Sequence, residues 1–237
     1  MRRTWPARRY GLHVSYDEQT EFGGPPQTRE TSQLEITKLT VGPMENNTYL
    51  LRDRASGATL LIDAAFEEDR IVELCGGKLD AVLTTHCHPD HWQALVDVVT
   101  ATGATTYAGE TEAPLIPAPT DVLVHDGDSI DVGTIGLTAV ELTGHRRTGS
   151  DHICTSIALI HRDTDGSAHV FTGDCLFPGG VGNTCDDPVA FTTLLNDVAT
   201  KLFGKLPDNT TVYPGHGFDT TIGTERPMLA TWATRHW

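Results

Sequence analysis

No apolar run in this 237-residue chain is long enough to span a membrane, which excludes a transmembrane helix. The start, Met1-Arg2-Arg3, lacks the apolar stretch of a secretory leader, so a cytoplasmic location is the expectation. Basic residues are scarce: 17 Lys and Arg stand against 32 Asp and Glu, for a formal net charge of −15. That balance disfavours nucleic acid and anionic membrane as partners, since both need a basic surface. A small-molecule substrate is expected instead, and nothing here bears on oligomeric state. Cysteines are few: Cys75, Cys87, Cys154, Cys175 and Cys185 show no paired spacing. An odd set without a leader points to reduced thiols rather than a disulfide framework.

What is present fits a folded α/β or β-rich protein: 38% hydrophobic residues, 23 glycines and ample length for a core. Residues 1–33 read as an N-terminal arm, free or packed on the domain, broken by Gly23-Gly24-Pro25-Pro26. Deletion of residues 1–30 is expected to leave metal binding intact. Residues 34–237 read as one domain, with no linker inside it. Alternating or short apolar runs predict strands at 34–39, 48–52, 59–62, 79–83, 122–124, 129–132, 135–142, 153–161, 168–172 and 211–213. Helices are predicted over 67–75, 92–102 and 188–203, and from Thr224 onward, with Pro188 at a favoured first position. Strands followed by helices, twice, suggest two sheets face to face with helices outside.

The densest chemistry lies in Thr85-His86-Cys87-His88-Pro89-Asp90-His91. Three imidazoles and a carboxylate in six residues are the ligand types a metal such as zinc accepts. Chance alone would place them so on the order of once in a thousand chains of this usage. In an extended segment His86 and His88 point the same way, because side chains alternate with period two. Three later residues also follow predicted strands and stand beside glycine: Gly144-His145, Gly173-Asp174 and Gly215-His216. Glycine permits the sharp turn that aims a ligand inward. Singly each is weak; together they describe a site.

This order, with Thr172-Gly173-Asp174, Tyr213-Pro214-Gly215-His216, Asn46-Asn47-Thr48-Tyr49 and Leu61-Ile62-Asp63-Ala64, resembles the metallo-β-lactamase-fold hydrolases. Within them it is similar to the glyoxalase II group of hydroxyacyl-thioester hydrolases and its small bacterial members. The resemblance covers about residues 34–237. It implies an α+β four-layer αβ/βα sandwich with two mainly antiparallel sheets. It further implies two divalent metals, zinc first, with iron or manganese as substitutes. His86, His88 and His145 would hold one; Asp90, His91 and His216 would hold the other; Asp174 would bridge them. Asp63 matches a carboxylate that orients ligands from behind. The nucleophile would be a metal-bound hydroxide, with Asp90 also placed to shuttle a proton.

The chain departs from the family pattern in two places. The segment after the third histidine, His145-Arg146-Arg147-Thr148-Gly149-Ser150, is one residue longer than usual. It brings His152 in as a rival ligand, and Arg146 and Arg147 as candidates for an anionic substrate group. The C-terminal helical extension that serves glutathione in glyoxalase II is not matched, so glutathione contacts do not transfer. Asp174 where β-lactam-cleaving members carry Cys or Ser argues against that activity. The expected function is therefore hydrolysis of a thioester, or a related ester or lactone. The alternative is a persulfide dioxygenase of the same fold, with one iron on His86, His145 and Asp174. A metal-binding scaffold that acts through its arm is a third, non-enzymatic reading.

Overall fold

Leu60, Leu61 and Ile62 illustrate how the chain builds its layers. Leu60 and Ile62 face one core and Leu61 another, so a strand covered on both sides reads as an unbroken apolar run. A computed structural model describes residues 16–18, 20–146 and 153–235. Seven strands form the first sheet in sequential order: β1 (Gln27–Glu30), β2 (Leu34–Val41), β3 (Asn46–Asp53), β4 (Thr59–Ile62), β5 (Ala81–Thr84), β6 (Thr105–Gly109) and β7 (Val122–Val124). Pairing is antiparallel from β1 to β4 and parallel from β4 to β7. The parallel half needs crossovers. Helix α1 (Glu68–Leu74) lies between β4 and β5, and α2 (Leu95–Thr102) between β5 and β6.

The second sheet contains β8 (Ser129–Val132), β9 (Ile135–Arg146), β10 (Ile153–Arg162) and β11 (Ala168–Gly173). A small hairpin of β12 (Leu176–Phe177) and β13 (Gly180–Val181) follows. Then come α3 (Pro188–Asp197), β14 (Thr211–Pro214), β15 (Thr220–Thr221) and two short helices, α4 (Ile222–Glu225) and α5 (Leu229–Trp232). The sheet order is β15-β14-β11-β10-β9-β8, and β11–β14 is its parallel pair. The sheets meet through Leu34, Ile36, Leu51 and Leu83 on one side and Leu137, Leu159, Phe171 and Tyr213 on the other. Ile71, Leu95 and Val98 cover the outside of the first sheet; Phe191, Leu194 and Val198 cover the second. This is the expected four-layer αβ/βα sandwich, its first sheet evenly mixed in direction rather than mainly antiparallel.

Other details differ from the sequence expectations. Part of the N-terminal arm packs on the domain, since Gln27–Glu30 pairs along β2 as an edge strand. Its polar side chains carry no apolar alternation; the backbone ladder places it, with hydrogen bonds from Thr28 to Thr37 and from Arg29 to Thr211 and Tyr213. Helix α2 begins at Leu95 rather than Trp92, since Pro89–His91 first makes a 3-10 turn and Trp92 leaves helical geometry at φ −139°. The helix expected over 188–203 changes to π geometry at Val198–Phe203. No helix among the described residues is long and apolar enough to cross a membrane.

Candidate metal centre

Five histidines and three aspartates meet where strands of both sheets end. Asp63 follows β4 in the left-handed region, at φ 59°. That conformation is uncommon outside glycine but tolerated by aspartate. It turns the carboxylate across the end of β5. Asp63 Oδ1 accepts the Thr85 N–H at 2.7 Å, and Oδ2 accepts the Thr85 hydroxyl at 2.9 Å. Oδ2 also meets His91 Nδ1 at 2.8 Å.

These contacts decide which ring nitrogens are free. Thr85 Oγ1 donates to Asp63, so it accepts from His86 Nδ1 at 3.0 Å. His145 Nδ1 donates to the Asn183 carbonyl at 2.8 Å, and His216 Nδ1 to the Met44 carbonyl at 2.9 Å. A carbonyl or carboxylate oxygen can only accept. A proton of His86, His91, His145 and His216 therefore sits on Nδ1, and Nε2 is the ring atom each turns to the centre. His88 is turned the other way and presents Nδ1. It lies 2.9 Å from His86 Nε2 and 3.0 Å from His145 Nε2.

Two donor sets result. Ligand atoms of His86, His88, His145 and Asp174 lie within 4.8 Å of one another, as do those of Asp90, His91 and His216. Asp174 reaches both: one oxygen is 3.5 Å from His91 Nε2, the other 3.7 Å from His145 Nε2 and 3.6 Å from His216 Nε2. Asp90 Oδ2 lies 3.3 Å from His216 Nε2 and 3.6 Å from His91 Nε2. His91 Nε2 and Asp174 Oδ1 are buried without hydrogen-bond partners. Buried polar atoms of that kind are rare and need a partner. Converging imidazole and carboxylate donors, two of them orphaned, fit divalent cations at about 2.0–2.2 Å per bond.

The electrostatics agree. Burial holds His86 well below its ordinary pKa, brings His88 down to about 4 and lowers His145, keeping these rings in the neutral form that ligates. Burial would raise Asp174, but His91 chiefly outweighs it and holds the carboxyl well below its usual range. Asp90 is likewise lowered, by His216, His91 and Asn46 against burial. Burial lowers His91, yet Asp174 and Asp63 together hold it well above its ordinary value. His216 is raised by Asp90 and Asp174 in the same way. In the metal-free protein the second set thus retains protons that a cation would displace.

Close backbone approach is part of the design. A Cβ at Gly215 would stand 2.3 Å from Asp174 Oδ1 and 2.9 Å from His91 Cε1, so only glycine lets β14 pass here. Gly173 turns β11 at φ 48°, a conformation that suits glycine and aims Asp174 inward.

The structure brings together His86, His88, Asp90, His91, His145, Asp174, His216 and Asp63. Arg146 ends β9, but its side chain, Arg147 and His152 lie outside the described residues. Cys87 points away from the centre, with Sγ 3.8 Å from that of Cys154, and Cys175 is buried in the outer core. Three supporting residues were not assigned a role from sequence. Asn46 donates to Asp90 Oδ2 at 2.9 Å. Thr85 links Asp63 to His86. Glu112, fully buried, accepts the N–H of Cys87 at 2.9 Å and of Thr155 at 3.1 Å. Asn46 and Thr85 lay in quoted motifs; nothing in the pattern around Glu112 distinguished it from a turn residue.

Residues 41–216 match the metallo-beta-lactamase superfamily. The chain belongs to that superfamily, whose members are metal-dependent enzymes. It is similar to a hydroxyacylglutathione hydrolase of Fuscovulum blasticum, 32% identical over 77% of this chain and 67% of that one. It is also similar to the mitochondrial persulfide dioxygenase ETHE1 of Mus musculus, 30% identical over 76% of this chain and 69% of the other. Among solved structures, TTHA1623 in a di-iron-bound form superimposes with a TM-score of 0.64 at 29% identity, covering 80% of this chain and 96% of that one.

Proposed function

We propose that this protein is a dinuclear metallohydrolase of thioesters, or of related small esters and lactones. The observation that carries the reading is the second donor set. Asp90, His91 and His216 converge beside the His86–His88–His145 group, and Asp174 addresses both. Zinc suits these ligands first, with iron or manganese as substitutes. Two such ions, held by these residues, would supply a water activated near neutral pH and would polarise the scissile carbonyl. The chain's residues do the rest. Asp63 and Thr85 hold the lone pairs of His86 and His91 in place, and the Asn183 and Met44 carbonyls do the same for His145 and His216.

Asp90 is held ionised, so it carries no proton to give to a leaving group. That favours a leaving group that needs no protonation. A thiolate, with a parent pKa of roughly 8.5, is such a group, whereas an alkoxide is not. The hydrolase relative supports the same direction. Arg146 and Arg147 remain candidates for an anionic end of a small-molecule substrate. The odd set of five cysteines and the acidic composition support residence in a reducing compartment, away from nucleic acid and membrane.

The rival reading is persulfide oxidation at a single iron on His86, His145 and Asp174, which the dioxygenase relative supports. Turnover of a small thioester and lactone panel, run beside oxygen uptake on a glutathione-sized persulfide, separates the two. Thioester cleavage without oxygen uptake is the expected result. Oxygen uptake with no hydrolysis would replace this reading with the other.

A further inference from the structure

Lys38 sits in the middle of β2 with no exposed surface. Its three ammonium protons meet three acceptors: Asp219 Oδ1 at 2.7 Å, the Gly217 carbonyl at 2.7 Å and the Glu18 carbonyl at 3.0 Å. Two of these acceptors belong to the loop that carries His216. The third belongs to the N-terminal segment. That segment closes the network from the other side as well. The Tyr16 hydroxyl donates to Asp219 Oδ2, and the Glu18 carbonyl also accepts the Asp219 N–H at 3.4 Å. On β3, Asn47 donates to the carbonyls of Pro214 at 3.0 Å and Gly217 at 2.9 Å. The loop is therefore held on both sides of His216 by buried polar groups of the first sheet.

Burying this pair is costly, and a buried ion pair is weak evidence for stability as such. A fully satisfied polar network does specify one geometry. The geometry it specifies here is that of residues 214–219. His216 is a half-exposed residue on a loop whose attachment to β14 includes a glycine on each side of the ring. Its Nε2 must stay about 3 Å from Asp90 for the two to share a cation. Its own contacts, the Met44 carbonyl and Asn46, come from the first sheet too.

We infer that Lys38, Asp219 and the N-terminal residues Tyr16 and Glu18 form a positioning device that sets His216 for the second metal. Lys38 is a positioning residue, acting through the loop and touching neither metal nor substrate. The N-terminal segment then belongs to the active-site architecture, contrary to its reading as a dispensable arm. The geometry stands by itself; its consequence for metal binding rests on the two-metal reading above.

The test uses the full chain, stripped of metal, with zinc alone as titrant and two readouts. One is calorimetric affinity for each ion; the other is hydrogen exchange without metal of the amides in segment 214–219, which are those of residues 215–219 because Pro214 has none. In Lys38→Met, affinity for the first ion stays within about twofold, that for the second falls at least about tenfold, and exchange in 214–219 accelerates by a similar factor. Tyr16→Phe, which keeps the ion pair and removes one hydrogen bond, moves both readouts in the same direction by a smaller factor. It decides the matter if Lys38→Met does not fold. Equal weakening of both ions, or unchanged exchange at 214–219 in the variants that fold, overturns the inference. If the wild-type chain takes up only one ion, the two-metal reading falls, while the exchange readout still decides whether Lys38 positions His216.

Discussion

Asp63 and Asp174 do different work with the same carboxylate. Asp63 is buried against hydrogen-bond donors and fixes the tautomers of two histidines, whereas Asp174 keeps an oxygen without a partner and faces both donor sets. Their substitutions should therefore differ in kind. Asp63→Asn keeps the shape but loses an acceptor for His91 Nδ1, so metal affinity should fall about 10–100-fold with the fold retained. Zinc titration against a competing chelator measures this, and unchanged affinity would show that the Asp63 contact is incidental. Asp174→Ala removes the shared ligand; turnover should be abolished and metal occupancy lowered together, read by elemental analysis beside the assay. The residues that converge here were legible in the sequence, because metal ligation demands His and Asp, and these stand either in one dense run or beside strand-ending glycines. Glu112 and Lys38 were not legible. Their roles depend on backbone groups brought to them from distant strands, and a backbone N–H or carbonyl leaves no mark in sequence.

At the scale of elements, the site depends on how strands end. The segment after β5 is clamped at Cys87, whose N–H goes to Glu112 and whose carbonyl accepts the Trp92 indole N–H at 2.9 Å. Glu112→Ala would leave two buried N–H groups unsatisfied, costing about 1–3 kcal/mol each at most. It should also loosen His86 and His88 together. A fall in thermal midpoint accompanied by weaker first-ion binding is expected; a fall in midpoint alone would confine Glu112 to a structural role. Strands with a clear apolar signal, the unbroken run of Thr59–Ile62 and the alternation of Ser129–Val132, were found at their predicted bounds. Thr105–Gly109 was missed because its apolar residues are few and glycine closes it. β9 runs past Leu142 to Arg146, so His145 is presented from a strand end rather than from the loop beyond it. Contact of Gly144 with α3, where a Cβ would stand 2.4 Å from the Ala190 carbonyl, explains a glycine that looked like a strand terminator.

The whole molecule joins two sheets across one apolar core, with ligands from both at one end. At the start of β11, five residues before Asp174, His169 stacks on His161 at a ring separation of 6.2 Å. Burial chiefly, then His161 and Arg29, bring His169 down to about 4 from 6.5, and burial lowers His161 against the attraction of Asp163. The unfolded chain therefore takes up these protons first as pH falls. Stability should drop between pH 6.5 and 4, by up to about 1.4 kcal/mol per pH unit from His169, with His161 acting in the same direction. Urea midpoints of the metal-free protein across that range should show the slope, and His169→Gln should flatten it; an equally steep slope in the variant would place the acid sensitivity elsewhere. The sandwich itself was legible from element order, since strand runs and helices alternate as four layers require. The even mix of strand directions in the first sheet was not, because crossover helices and hairpin turns leave similar apolar runs.

The account turns on whether the two donor sets act as one catalytic centre. Zinc titrated into the metal-free chain, with hydrolysis of a small thioester followed at each addition, tests this directly. The activity is predicted to saturate at two ions per chain, with little turnover at one. Saturation at a single ion, or a chain that takes up two and hydrolyses nothing, would contradict it.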